Sequence, residues 1–212
     1  MSRRSLIAFC KRREVKTAAV ILLSALFIVL LFQTFHRAYR HTGYDFTSYL
    51  ASAQTVLGGG NPYETGSPFS YSYPMFFAFA LIPLSMLPYW LSNFIWYVIN
   101  WGSLLGSLIV FVKLSSRDLK TRWGTHLYAP VAAGLLIMTP VIQNHLLNGQ
   151  ANFVVLLLCA LFLKSYIGGR ALKASIFLAL AVAIKLVPLV LFLFLLVRRN
   201  YRTLTLSTLF AI

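Results

Sequence analysis

The chain has 212 residues, of which 59% are hydrophobic and 11% are charged, and it carries a formal net charge of +15 with a mean hydropathy of +0.76. A soluble domain carries about 25% charged residues, so this composition excludes an ordinary soluble domain and predicts an all-α integral membrane protein. The positive charge does not indicate nucleic-acid binding, because the Lys and Arg residues stand in short clusters between apolar segments, as the positive-inside rule predicts.

The N-terminal segment predicts the orientation of the chain. Residues 1–16 are basic, and the apolar run 17–35 that follows lacks a small-residue cleavage site before Arg37. We therefore interpret this run as a retained membrane anchor and not as a signal peptide. With the N-terminus inside, the anchor makes residues 36–74 the first extracytoplasmic loop, in which two basic residues are balanced by two acidic ones.

Three later apolar segments are predicted to cross the membrane in turn. Residues 89–112 return the chain to the cytoplasmic side, residues 127–147 lead out again, and residues 151–163 lead back. The last segment is shorter than the roughly 20 residues that a span needs, so it has to thin the bilayer or borrow neighbouring residues. We expect a single transmembrane domain over residues 1–212, built as a multi-span helical bundle.

Two further segments do not fit simple counting of spans. Residues 75–87 are apolar but short and rich in proline, which favours an interfacial or re-entrant helix. Residues 174–197 contain Lys185 at the middle, followed by Pro188. They form either one span with a buried lysine or, as we favour, a broken hairpin that turns at Lys185. The chain ends in a short apolar run at 204–212, and we expect it to be a fragment of a longer membrane protein.

The loop at 36–74 begins with a predicted amphipathic helix. One face carries Phe46, Tyr49, Leu50, Ala53, Val56 and Leu57, and the other carries Asp45, Ser48, Ser52 and Thr55. Such a helix is suited to lie on the outer membrane surface. Gly58, Gly59 and Gly60 are expected to end it, because glycine adopts the left-handed conformation of a helix stop.

Asp45 is one of only four acidic residues in the chain, and it stands at the start of this helix. A carboxylate near lipid is energetically costly and therefore indicates a functional role. Aspartate is also a preferred N-cap that interacts favourably with the helix dipole. The residues alone leave the capping role and a catalytic role open.

The polar segments of the chain, taken together, resemble those of a known enzyme family. The resemblance rests on Asp45 with its helix and on the segments Gly58–Tyr63, Tyr71–Pro74, Pro83–Pro88, Asn148–Asn152 and Lys185–Pro188. In this order the segments are similar to those of glycosyltransferase family 87, within the GT-C superfamily of membrane glycosyltransferases. The chain departs from the family in having Pro74-Met75 where members usually have two prolines.

The resemblance implies a GT-C-like helical bundle that transfers a sugar, typically mannose or arabinofuranose. The donor would be a polyprenyl-phosphate-linked sugar, and the acceptor a lipid or a glycan outside the cytoplasmic membrane. Family members invert the anomeric centre, which requires one general base, and Asp45 is the residue that the resemblance assigns to this role. Membrane lipids are expected partners, nucleic acid is not, and neither a cofactor nor a metal is expected.

The remaining candidate residues would bind the donor and the acceptor. Lys185 would hold the donor phosphate, or it is a lysine that snorkels to the interface. Arg37 and Arg40 would also meet the phosphate, or they anchor the preceding helix at the headgroups. Sugar or acceptor contacts are expected from a larger polar set: Tyr49, Asn61, Tyr63, Tyr73, His145, Asn148, Gln150 and Asn152. The segment from His145 to Asn152 could equally be a polar turn between two helices.

Two other functions remain open at this point. The first is a transporter or flippase for lipid-linked sugars, since broken helices and intramembrane cations are typical of transporters. A carrier needs its polar residues at mid-membrane, whereas most of them here fall in an outside loop. The second is a non-catalytic, truncated homologue of the enzyme.

Overall fold

The computed structural model of the chain describes residues 28–29, 32–33, 35–36, 44–119 and 128–211. This part of the chain consists of helices joined by turns and short loops, and it contains no β-strand. The all-α prediction is therefore confirmed for the described residues. The predicted cytoplasmic N-terminus at 1–16 and most of the predicted anchor at 17–35 lie outside them.

The helices are named here in chain order. They are α1 (Tyr44–Leu57), α2 (Met75–Ala80), α3 (Ile82–Ser85), α4 (Tyr89–Leu119), α5 (Tyr128–Asn148), α6 (Asn152–Ile167), α7 (Ala171–Ile184), α8 (Val190–Val197) and α9 (Tyr201–Ala211), with a 3-10 turn at Val187–Leu189 before α8. In the bundle, α4 packs against α6, α6 against α7, and α7 against α9.

The first predicted helix is present, but its polar face is not where the sequence pattern put it. The helix ends at Leu57, and Gly59 follows with a φ of 78°, which confirms the glycine stop. Ser48 and Ser52 are buried, however, and the Ser52 hydroxyl donates a hydrogen bond to the carbonyl of Pro62. The helix is therefore enclosed by its own loop and by α2–α4, and the expectation of a fully amphipathic surface helix was wrong for these two serines.

One helix in the described residues is long and apolar enough to cross a membrane by itself, namely Tyr89–Ser115 within α4. Residues Ile137–Asn148 and Asn152–Ile167 meet the same criterion only as a pair, and a 115° bend separates them. The helices expected at 127–147 and 151–163 are thus present as α5 and α6. Whether each crosses a membrane stays a prediction.

The short segment at 75–87 forms two helical pieces instead of one. The first, α2, ends at Ala80, and the second, α3, begins at Ile82 with Pro83 in its first turn. Proline suits this position because the first residues of a helix have no intrahelical partner for their N–H groups. The interfacial or re-entrant placement of the pair stays a prediction.

The helix at 174–197 is broken at the lysine, as the hairpin alternative requires. Lys185 has an extended backbone after the end of α7, because Pro188 has no N–H to donate to the carbonyl of Ile184. The chain then turns back, so that Leu195 of α8 packs in one buried cluster with Leu178 of α7 and Phe162 of α6.

Candidate functional site

One part of the candidate site lies at the start of α1. Helix α1 begins at Tyr44, so Asp45 lies in its first turn and is the second helical residue, not the residue before the helix. Its side chain is partly buried, and its backbone carbonyl accepts a hydrogen bond from the Ser48 hydroxyl at 2.8 Å. A carboxylate at this position is favoured by the positive end of the helix dipole.

An aromatic cluster surrounds Tyr49, one turn after Asp45. Its ring lies 4.8 Å from that of Tyr73 and 5.1 Å from that of Phe77, centroid to centroid, and both pairs meet edge to face. Tyr49 is only 1% exposed, so it packs beneath the site and supports the ring of Tyr73, which is partly exposed.

Burial of Tyr49 and Tyr73 determines the protonation state of their phenols. Burial, followed by the proximity of Tyr73 and then of Asp45, raises the pKa of Tyr49 well above its ordinary value. Burial is also the largest cause that raises the pKa of Tyr73, and the negative charge of Asp45 adds to it. Both phenols consequently stay neutral at physiological pH.

The turn between α5 and α6 is fixed against α1 and α4. Gly149 in this turn has a φ of 65°, and its carbonyl accepts a hydrogen bond of 2.6 Å from the indole N–H of Trp96. Phe46 stacks on Trp96 with the ring centroids 5.5 Å apart. A side chain at Gly149 would collide with Phe46, because an added Cβ would lie 2.6 Å from the Phe46 Cβ.

A polar network links this turn to the break after α7. The Lys185 ammonium donates a hydrogen bond of 2.7 Å to Oδ1 of Asn152, at the start of α6. The Asn152 amide donates to Oε1 of Gln150 at 2.8 Å and lies 3.0 Å from Nδ1 of His145, which in turn contacts the Gln150 side chain. Three of the four polar residues predicted at this turn therefore form one network with the lysine.

Tyr73 is the residue at which the two parts of the site meet. The Lys185 Nζ lies 5.4 Å from the centroid of the Tyr73 ring, close enough for a cation–π contact. Asp45 stands one helical turn before Tyr49 on α1, and the Tyr49 ring packs on that of Tyr73 with the centroids 4.8 Å apart. Tyr73 thus contacts Lys185 and is linked through Tyr49 to the helix that carries Asp45.

The other predicted site residues that the structure describes are not part of this network. Asn148 bonds to Asn144, one turn back in α5, at 3.3 Å. The Asn61 side chain accepts the backbone N–H of Tyr63 at 3.1 Å, which closes an exposed turn. Tyr63 is half exposed, and its ring lies 5.7 Å from that of Tyr71. Arg37 and Arg40 lie outside the described residues.

Sequence reasoning missed Trp96 and the pairing of Lys185 with Asn152. Trp96 lies inside a continuous apolar segment, where nothing in the pattern distinguishes a tryptophan that holds a distant carbonyl from one that faces lipid. Lys185 and Asn152 are 33 residues apart and belong to different helices. No spacing rule connects them.

The comparison with known proteins decides the family. Residues 71–212, more than half of the chain, match the family model for glycosyltransferase family 87. The chain belongs to glycosyltransferase family 87. This confirms the resemblance noted in the sequence, and it makes the chain a membrane glycosyltransferase by family. No curated protein and no solved structure matches it.

The matched segment covers only part of the site. Within this family 87 chain it includes Tyr73, the network at His145, Gln150 and Asn152, and Lys185. Asp45 precedes it, so the family match itself does not extend to the carboxylate. Among the described residues no cluster of His, Cys, Asp and Glu could hold a metal ion. The polar groups that the site offers are the side chains of one aspartate and one lysine together with amide, imidazole and phenol groups.

Proposed function

We propose that this chain transfers a hexose, mannose in the first instance, from a polyprenyl-phosphate donor to a lipid or glycan acceptor. The transfer takes place on the extracytoplasmic face of the cytoplasmic membrane, in a multi-pass protein whose N-terminus is inside. Family membership supplies the reaction class, and the polar groups at one end of the bundle support the donor class and the mechanism.

The observation that carries this proposal is that Tyr73 contacts both Lys185 and Tyr49, which belongs to the helix that begins beside Asp45. A polyprenyl-phosphate sugar needs two things from an enzyme, a base for the acceptor and a positive charge for the departing phosphate. Lys185 provides the positive charge 5.4 Å from the centroid of the Tyr73 ring, and Asp45 stands one helical turn before Tyr49, whose ring packs on Tyr73. A sugar bound over Tyr73 would therefore lie between base and cation.

The reaction is a single displacement with inversion. Asp45 accepts the proton of an acceptor hydroxyl while the oxygen of that hydroxyl forms a bond to the anomeric carbon. The bond between the anomeric carbon and the phosphate oxygen breaks, and the polyprenyl phosphate leaves with the electron pair. A positioned general base is worth about 10²–10⁴-fold in rate. The leaving phosphate already carries negative charge, so the Lys185 ammonium stabilises it electrostatically and need not protonate it.

The hydrogen-bonding groups near Lys185 suit a sugar. His145, Gln150 and Asn152 carry imidazole and amide groups that can exchange hydrogen bonds with hydroxyls, and Tyr73 offers an aromatic face. Tyr49 supports Tyr73 from below in this proposal, because its side chain is buried. Arg37 and Arg40 remain candidates for additional phosphate contacts.

The test replaces the proposed base without changing its shape. Asp45→Asn keeps the side-chain volume and removes the ability to accept a proton. Native membranes that contain the full chain, with their own acceptors, are supplied with radiolabelled polyprenyl-phosphate mannose or arabinofuranose, and label in the acceptor fraction is counted. We expect the variant to lose at least about 100-fold in rate at an unchanged expression level.

The matched control is Glu64→Gln, which removes an exposed carboxylate from the same loop. It should leave transfer within about twofold of the wild type, since a change at an exposed surface site is close to neutral. Transfer that survives in Asp45→Asn would reduce Asp45 to a helix-stabilising residue. Movement of intact donor across the membrane, with no label in any acceptor, would favour the flippase alternative.

A further inference from the structure

A basic cleft lies at the end of the bundle opposite to Asp45. It has a volume of about 560 Å³ and is formed where α4, the end of α6 and the start of α7 meet. The start of α6 carries Asn152, and its 16 residues rise by about 24 Å. The cleft at its far end is therefore separate from the site at Tyr73. The cationic residues that line it are Lys113, Lys164, Arg170 and Lys173.

The apolar side chains of the cleft are buried or partly buried and form its walls, whereas the cationic side chains are exposed and form its rim. The apolar lining consists of Val110, Leu114, Leu161 and Phe177. The described side chains that line the cleft include no carboxylate. A cavity with cations at its rim and aliphatic walls is complementary to an amphiphilic anion, meaning a phosphate that carries hydrocarbon chains. A free inorganic anion would leave the apolar walls unoccupied.

The start of α7 adds to the positive potential of the rim. Helix α7 begins at Ala171, and Arg170 at its cap position makes no side-chain hydrogen bond to the first turn. The positive end of the helix dipole therefore lies among the lining cations. A second, smaller cleft of about 340 Å³ adjoins this helix start and brings Arg202 of α9 near Arg170 and Lys173.

The positive-inside rule accounts for the sign of these charges but not for their arrangement. The rule requires Lys and Arg in cytoplasmic loops, and it is satisfied by residues that point anywhere in the headgroup region. Here cations from three helices line the same cavity. Basic pockets between helices on the cytoplasmic side are the sites at which anionic lipid headgroups bind.

We propose that this cleft binds the phosphate headgroup of an anionic membrane phospholipid, with the acyl chains along the apolar wall. The bound lipid joins α4, α6 and α7 at this end of the bundle. It is not the sugar donor of the proposed reaction, whose phosphate meets Lys185 at the other end. The proposal stands whether or not that reaction is correct, because it rests on the cleft alone.

The test measures lipid binding to the purified full chain in micelles of an uncharged detergent. Short-chain phosphatidylglycerol, phosphatidylcholine and inorganic phosphate are titrated separately, and bound lipid is counted by native mass spectrometry. The wild type should bind phosphatidylglycerol in preference to phosphatidylcholine. The double variant Lys164→Gln/Lys173→Gln should lose roughly tenfold or more in affinity for phosphatidylglycerol.

The matched control is Arg198→Gln/Arg199→Gln. It removes the same charge from two exposed residues that do not line the cleft, and it should keep affinity within about twofold. A second variant, Leu161→Trp, fills the apolar wall without changing charge. It should weaken the binding of phosphatidylglycerol, and it should not change how strongly inorganic phosphate binds to the protein. Only variants that remain monodisperse are compared, because aggregation would show that a variant has lost its fold.

Three results would overturn the proposal. Equal loss of lipid in the control double variant would mean that overall charge, not the cleft, binds the anion. Equal affinity for phosphatidylcholine and phosphatidylglycerol would remove the anionic headgroup from the recognition. Displacement of phosphatidylglycerol by an equal concentration of inorganic phosphate would identify a soluble phosphate as the ligand instead of a lipid.

Discussion

Replacement of Gly149 by alanine is expected to destabilise the junction on which the candidate site is built. Gly149 has a φ of 65°, a backbone conformation that residues other than glycine rarely adopt. An alanine Cβ would also lie 2.6 Å from the Phe46 Cβ and 3.6 Å from its Cα. The first distance is shorter than any ordinary contact between carbon atoms, so α1 or the turn between α5 and α6 has to move.

The size of the effect follows from these two causes. The left-handed conformation costs an alanine about 1–2 kcal/mol. Forcing a methyl group into a packed contact typically costs a further ~1–3 kcal/mol. We therefore expect Gly149→Ala to lower the free energy of unfolding by about 2–5 kcal/mol. Movement of the turn should also lower sugar transfer, because Gln150 and Asn152 follow it directly.

The control separates the two causes. Gly169 has a φ of 69°, and an added Cβ there meets nothing within 4 Å. Gly169→Ala therefore carries the backbone cost without the collision. The free energy of unfolding of both variants is measured by denaturant titration in detergent micelles, and the difference between them isolates the contact with Phe46. If Gly149→Ala loses no more stability than Gly169→Ala, the close approach of α1 to this turn does not exist in the folded protein.

Two further substitutions test the site and its support. Asn152→Leu removes the oxygen that accepts the Lys185 hydrogen bond. It should lower kcat/KM for the donor by roughly 10-fold or more, since hydrogen bonds to charged groups are worth about 1.5–3 kcal/mol. The control Asn144→Leu changes an exposed residue of α5 and should leave kcat/KM unchanged, and an equal loss in both variants would count against the network. In Tyr49→Phe, the free energy of unfolding should fall less steeply at high pH than it does in the wild type. The raised pKa of Tyr49 means that its contribution is complete below about pH 10, where an unfolded tyrosine is neutral, and is lost as the pH rises further. Unfolding measured between pH 8 and about 11 should therefore show a shallower decline than in Tyr201→Phe, which alters an exposed ring, and identical slopes would contradict the cause given for the pKa.

Much of the helical framework could be predicted because its signals are local. The stop at Gly59 depends on glycine conformation alone, and the break at Lys185 depends on the missing N–H of Pro188. The starts of α4, α5 and α6 follow, to within one residue, from apolar runs between polar turns, whereas α4 continues to Leu119, seven residues beyond the predicted end at 112. The burial of Ser48 and Ser52 could not be predicted, since it depends on the loop at Pro62 and the neighbouring helices that cover the first helix.

The candidate site could be predicted as a set of residues but not as an arrangement. Asp45, Tyr73, Asn152 and Lys185 each follow from an unusual residue type in an apolar chain or from the family resemblance. Nothing in the sequence pairs Lys185 with Asn152. Trp96 carried no signal at all, because its hydrogen bond to the Gly149 carbonyl joins residues 53 positions apart.

The sequence by itself determined that the chain is helical, that its first helix stops at the glycines, that the segment 174–197 breaks at Lys185, and which family the chain belongs to. These properties follow from composition and from short-range chemistry along the chain. The tertiary structure alone decided that Lys185 meets Tyr73 and Asn152, that Gly149 touches Phe46, and that four cations line one cleft at the other end. The physical reason is that helix packing brings together residues far apart in the chain, and this packing depends on side-chain shape across helices and not on spacing along any one of them.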